Sequence, residues 1–120
     1  MLFRSNFVFL AKDGFYNGLE FHFVAKSFDA QAGDPSCLAA KSDALCRGNG
    51  GPGYDLPQEK PGDFQPGELG MVNGSVFFIA LGASPQFSQY TPFGKITSGL
   101  DVAQKIAKGT AITSIEISER

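Results

Sequence analysis

Five of the seven prolines in this chain fall between residues 33 and 67, a stretch that also holds most of its turn-forming residues. Proline removes a backbone donor and steers the residue before it away from the helical region, so neither a long helix nor a central strand fits there. The stretch is expected to be mainly loop. Regular structure is thereby confined to two flanks, each too short for anything but brief elements.

On the N-terminal flank, Phe3, Phe7, Leu10 and Ala11 recur at helical spacing, with Ser5 or Asn6 as the cap and Gly14 or Gly18 as the stop. Residues 19–25 and 28–32, rich in aromatic and β-branched side chains, predict two strands joined around Lys26-Ser27. On the C-terminal flank, residues 68–72 and 75–81 predict a hairpin about Asn73-Gly74, a dipeptide suited to a two-residue turn with positive φ. Residues 93–97 predict a further strand. Ser98-Gly99-Leu100-Asp101 resembles a capping box, opening a helix that carries Val102, Ala103, Ile106 and Ala107 and stops at Gly109. Residues 112–118 close the chain as a half-buried strand, Ile115 and Ile117 alternating with Glu116 and Ser118. There is no internal repeat. The elements add up to one domain, residues 1–120, mainly β with two short helices, a β-barrel plugged by helices.

Twelve phenylalanines and no tryptophan concentrate the apolar surface in rings, which either pack the core or bind a ligand. A formal net charge of −2 without a Lys/Arg cluster argues against a nucleic-acid partner, because a phosphate backbone needs a basic surface. No apolar run reaches the ~18 residues of a membrane span, and Met1-Leu2-Phe3-Arg4 lacks the features of a secretory leader, so no membrane contact is expected. Cys37 and Cys46 are close enough to bridge but lack metal-ligand spacing, and His22 is the only histidine that could join them, so no metal site is expected. A disulfide there would remove about 2.5–3 kcal/mol of unfolded-state loop entropy and place the chain in an extracellular or cell-envelope setting; reduced thiols would fit the cytoplasm. Gly48-Asn49-Gly50-Gly51-Pro52-Gly53 satisfies a dinucleotide-binding pattern, but no strand precedes it and Pro52 blocks a following helix, so it reads as turn chemistry. Ser75 lacks a nucleophile elbow and there is no second histidine, which argues against a hydrolase. Glu20, Asp29 and Asp34 lie near turns and read as solvated carboxylates rather than an acid/base pair.

Asn6-Phe7-Val8-Phe9-Leu10-Ala11, Gly14-Phe15-Tyr16-Asn17-Gly18-Leu19, Phe21-His22, Gln31-Ala32-Gly33-Asp34-Pro35, Gly50-Gly51-Pro52-Gly53-Tyr54, Phe77-Phe78-Ile79 and Phe93-Gly94-Lys95-Ile96 occur in one order. In that order they resemble bacterial cyclophilins, the peptidyl-prolyl cis-trans isomerases, over residues 6–117. The resemblance implies an eight-stranded antiparallel barrel capped by two helices, here lacking its first two strands, with the proline pocket on the outer face. It implies no cofactor, and it implies proline-containing peptides or unfolded proteins as partners.

Rotation about an X-Pro bond meets a barrier of about 20 kcal/mol because amide resonance must break, and no covalent chemistry is needed to lower it. A dry pocket for the pyrrolidine ring suffices, with a donor aimed at the proline nitrogen in its resonance-broken form. By resemblance, Phe28, Phe78 and Phe87 wall the pocket, and Gln31 and Tyr90 are its polar groups, Tyr90 standing where the family often has histidine. The catalytic arginine of the family is replaced by Phe23. Asp29 stands where the family has an apolar pocket residue, Val76 stands at a substrate-binding glutamine, and the loop after Met71 is short. His22 is expected to point away from Phe23 and to serve structure. The expected function is a prolyl isomerase weakened by loss of the arginine. The alternatives are a non-catalytic proline-peptide binding module and a degenerate, self-associating fragment.

Overall fold

The computed structural model describes residues 2–26, 28–38, 51–54, 62–82 and 90–117. Helix α1 (Leu2–Lys12) buries Phe3, Phe7, Leu10 and Ala11, the stripe that the helical spacing predicts. It begins before both predicted caps. Ser5 and Asn6 lie inside the helix, and Asn6 works at long range instead: its amide donates to the Gly74 carbonyl at 2.6 Å and accepts from the Tyr54 hydroxyl. The helix ends as predicted at Gly14, whose φ of 80° lets the Gly14 and Phe15 N–H groups turn back to the Ala11 and Leu10 carbonyls.

Five strands follow: β1 (Phe23–Ala25), β2 (Asp29–Ala32), β3 (Glu68–Met71), β4 (Phe77–Ala80) and β5 (Pro92–Lys95). They form one antiparallel sheet in the order β1-β2-β4-β3-β5. Pro92 is tolerated because β5 is an edge strand. Among the described residues the sheet is open rather than closed into the expected barrel.

Strand β4 lies at the centre of that order and is buried on both faces, which explains its unbroken apolar run. Successive side chains on a strand point to opposite faces, and here the two sets have different destinations. Phe77 and Ile79 enter the main core with Phe7, Leu10, Tyr16, Phe21 and Phe93, whereas Phe78 and Ala80 enter a second cluster with Phe64, flanked by Phe28 and Tyr90. Ring centroids of Tyr16, Phe77 and Phe93 lie 5.1–5.2 Å from that of Phe7. Edge contacts of this kind add about 0.5–1.5 kcal/mol per pair beyond burial.

Three sequence expectations change for identifiable reasons. The β3–β4 connection is not a two-residue turn, because Met71 pairs with Phe77 and five residues intervene. Asn73 instead uses its side-chain oxygen to accept from the Ser75 and Val76 N–H groups at 2.9 and 2.8 Å, and Gly74 is not among the positive-φ glycines. Helix α2 (Leu100–Ala103) is a single turn, capped by Gly99 at φ 87° with no side-chain bond, so the predicted capping box does not form. The predicted strand over residues 19–25 changes partners partway. Residues 18–21 pair with 109–112, through bonds such as Ile112 N–H to the Leu19 carbonyl at 2.8 Å, and residues 23–25 pair with β2. The predicted last strand is therefore displaced: pairing ends at Ile112, while Ile115 and Ile117 still pack on the core without a ladder.

The loops on either side of β4 are joined to β2 at one close contact. Gly33, at φ 112°, follows β2, and its carbonyl accepts from the Ser75 hydroxyl at 2.7 Å. The Ser75 carbonyl accepts from buried Tyr16 at 2.9 Å, and burial raises the Tyr16 phenol far above its ordinary pKa, keeping it a neutral donor. A Cβ on Gly33 would lie 2.3 Å from the Ser75 oxygen, inside contact distance of a backbone atom that cannot swing away. Gly33→Ala is expected to cost more than the ~1–3 kcal/mol of the positive φ alone. Urea denaturation should show the lowered midpoint, and an unchanged midpoint would remove this contact from the account.

Candidate proline-peptide site

Cross-strand register gathers the predicted site residues on the outer face. Phe23 of β1 pairs with Gln31 of β2, Gln31 with Phe78 of β4, and Phe78 with Gly70 of β3, so the four lie in one row. The next row on the same face is Ala25, Asp29 and Ala80. Tyr90 meets Phe78 edge-on at 5.3 Å, and Phe28 flanks the same cluster. Phe23 is 46% exposed, an aromatic surface at the β1 end of that row.

Other predicted residues fall elsewhere. Val76 is fully buried at the end of the β3–β4 connection, where its carbonyl accepts from Val72 and Asn73. Phe87 lies outside the described residues. So does Cys46, and with it the expected bridge; Cys37 is buried, its carbonyl accepting from Glu20 N–H at 2.7 Å. A crevice lined by Val24, Lys26 and residues 104–108 contains none of the predicted pocket residues.

Two members of the site escaped the sequence reading. Phe64, inside the proline-rich stretch, stacks on Phe78 at 5.2 Å with its ring tilted 38°, and together with Tyr90 it leaves Phe78 only 1% exposed. Gly70 is the seat for that ring: a Cβ there would lie 2.4 Å from Phe78 Cζ and 2.7 Å from Phe64 Cζ. The signal available for Gly70 was a glycine inside an otherwise apolar strand, which marks a close approach.

The polar side of the site differs most from expectation. Asp29 and Asp34 are buried, at 2% and 0% exposure, rather than solvated. The Asp34 carboxylate accepts from the Ser36 N–H and hydroxyl at 2.9 and 2.6 Å, closing the turn over Pro35. Asp29 accepts from the Gln31 amide at 3.0 Å, and desolvation pushes its carboxyl up from the ordinary range, opposed by that bond and by His22. His22 precedes β1, where strand alternation does not yet hold. Burial lowers the His22 pKa, and the charges of Asp34, Glu20 and Asp29 oppose that shift. The Gln31 side chain also favours the charged form of His22. The three carboxylates thus act on one imidazole, which the spacing along the chain did not indicate.

An antiparallel sheet with two helices in this order matches a known family. The model for "Cyclophilin type peptidyl-prolyl cis-trans isomerase/CLD" covers residues 2–119. The chain belongs to the cyclophilin-type family. A peptidyl-prolyl cis-trans isomerase of Helicobacter pylori (strain ATCC 700392 / 26695) is 40% identical over 126 residues, covering 95% of this chain and 72% of the relative. Peptidyl-prolyl cis-trans isomerase B of Bacillus subtilis (strain 168) is 35% identical, covering 94% and 80%. A crystal structure of a Cryptosporidium parvum cyclophilin-type isomerase superposes with a TM-score of 0.76 at 28% identity, covering 97% of this chain and 83% of that one. Another, crystallised in the presence of the dipeptide Ala-Pro, gives 0.69 at 29% identity, covering 84% and 70%.

Because Gly70 seats Phe78, Gly70→Ala should lift the Phe78 ring out of this cyclophilin-type face. Aromatic NMR resonances of Phe64, Phe78 and Tyr90 should shift together while those of Phe7 and Phe93 stay in place. Equal shifts in both sets would mean that the two clusters are not separate.

Proposed function

We propose that this chain is a peptidyl-prolyl cis-trans isomerase acting on X-Pro bonds in peptides and unfolded proteins, weakened by the phenylalanine at position 23. The observation that carries this reading is the row Phe23, Gln31, Phe78 on the outer face, with Phe28 and Tyr90 beside it. A pyrrolidine ring is small and apolar, and it gains about 25 cal/mol per Å² of surface withdrawn from water against such rings. Binding of this kind holds ground state and transition state alike, so it lowers KM more than it raises the rate. The missing element is a positive donor for the proline nitrogen, and one such preorganised donor is typically worth about 10²–10³ in rate.

Phe64 and Tyr90 cover Phe78, so substrate entry requires at least one of these rings to turn aside. That requirement weakens binding further. Gln31, which would present its amide to the peptide, donates it instead to Asp29. A protein-folding role follows from this reading. The Cys37–Cys46 bridge, where it forms, would assign the role to an extracellular or cell-envelope compartment. Among the described residues no helix is long and apolar enough to cross a membrane.

The test is the exchange rate between cis and trans forms of a capped Ala-Pro peptide, measured by NMR with catalytic amounts of protein. The wild-type chain should accelerate the uncatalysed interconversion of tens of seconds, and Phe23→Arg should raise that acceleration by about 10–100-fold. The gain falls short of a full donor's worth because Gln31 stays engaged elsewhere. Line broadening of protein signals without faster exchange, in both forms, would make the chain a binding module.

A further inference from the structure

Asp29 is an anomaly for a pocket wall. It sits directly opposite Ala80 on β2's outer face, in the row next to Phe23, Gln31 and Phe78, and it is 2% exposed. One carboxyl oxygen, Oδ2, accepts from Gln31 Nε2 at 3.0 Å. The other, Oδ1, is shut off from solvent and has no hydrogen-bond partner among the described residues. Leaving a buried polar atom unpaired costs about 1–3 kcal/mol, more for a charged one, so a site that keeps such an atom either neutralises it or reserves it for a ligand.

We propose that Asp29 is a catalytic residue of the isomerase described above, its Oδ1–H donating to the nitrogen of the bound X-Pro bond in place of the absent arginine. The proposal rests on the isomerase reading and adds to it the group that lowers the barrier. With Oδ2 occupied as an acceptor, the proton of a neutral carboxyl belongs on Oδ1, the oxygen without a partner. Diagonal neighbours on paired strands lie about 7–8 Å apart at Cα, so Asp29 reaches the space beside Phe23 that an arginine side chain would fill. No proton is transferred and no bond is made or broken. The hydrogen bond strengthens as the amide nitrogen pyramidalises and its lone pair becomes available, then weakens as resonance returns. Desolvation favours the neutral acid that this role needs. Gln31 and His22 are the groups the structure records as acting on Asp29, and Asp34 and Glu20 act on His22 in turn.

A donor acid is active only while protonated. Acceleration of capped Ala-Pro exchange is therefore expected to be greatest at low pH and to fall as pH rises through the raised pKa of Asp29. Asp29→Asn keeps an N–H donor of the same shape, so it should retain acceleration within a few-fold and lose the pH dependence. Asp29→Leu has no donor and should lose at least tenfold. His22→Gln should leave the pH profile in place, which separates Asp29 from its titrating neighbour. In parallel, the ¹³C shift of the Asp29 carboxyl, followed against pH, should titrate at higher pH when the peptide is saturating, because binding to the neutral acid favours it. A pH-independent wild type, an Asp29→Leu variant as fast as wild type, or a carboxyl titration that ignores the peptide would each overturn the proposal while leaving the isomerase reading intact. No acceleration at any pH would overturn both.

Discussion

Burial of β4 on both faces is the constraint on which the rest of this molecule depends. A central strand with two apolar faces must be covered twice. On one side α1 and the rings of Tyr16, Phe21 and Phe93 supply the cover and make the main core. On the other, no helix is available among the described residues, and the cover comes from side chains of loops: Phe64, Phe28 and Tyr90. A layer of rings held by loops rather than by a packed helix is the kind of surface that can open to a small apolar ligand. The same alternation that builds the core thus builds the candidate pocket, Phe77 and Phe78 being neighbours in sequence with opposite tasks.

Chemistry on this face is set by a buried carboxyl and the glutamine bonded to it. Gln31, in the row with Phe23 and Phe78, donates its amide to buried Asp29. Two buried polar atoms in this group, His22 Nδ1 and Asp29 Oδ1, have no hydrogen-bond partner among the described residues. The aromatic part of this face takes its geometry from strand register and from the space left by Gly70.

Much of this was legible in the sequence wherever a local period decided it. The stripe of Phe3, Phe7, Leu10 and Ala11 needs only the helical repeat, and the placing of Phe23, Gln31 and Phe78 on one face follows from strand alternation once the strands are paired. Failures occurred where a side chain or a distant segment settled the matter. Asn73 closes its loop with its own oxygen, which a dipeptide rule for hairpins does not anticipate. Asn6 reads as a cap by residue type but is claimed by Gly74 and Tyr54, far away in the chain. Residues 115 and 117 keep the inside-outside rhythm of a strand without a ladder, because hydrophobic patterning reports burial and not pairing. Phe64 was hidden in a stretch read only for its turns, and the burial of Asp29 has no sequence signal beyond its apolar neighbours.

The central claim is that the outer face around Phe78, and not the lysine-lined crevice beside Val24, receives the proline ring. Titrating a capped Ala-Pro peptide into isotopically labelled protein and mapping chemical shifts tests it directly. The account predicts perturbations confined to Phe23, Phe28, Gln31, Phe78, Tyr90 and their strand neighbours, with residues 104–108 unmoved. Perturbations centred on Val24, Lys26 and residues 104–108, with the Phe78 cluster silent, would contradict it.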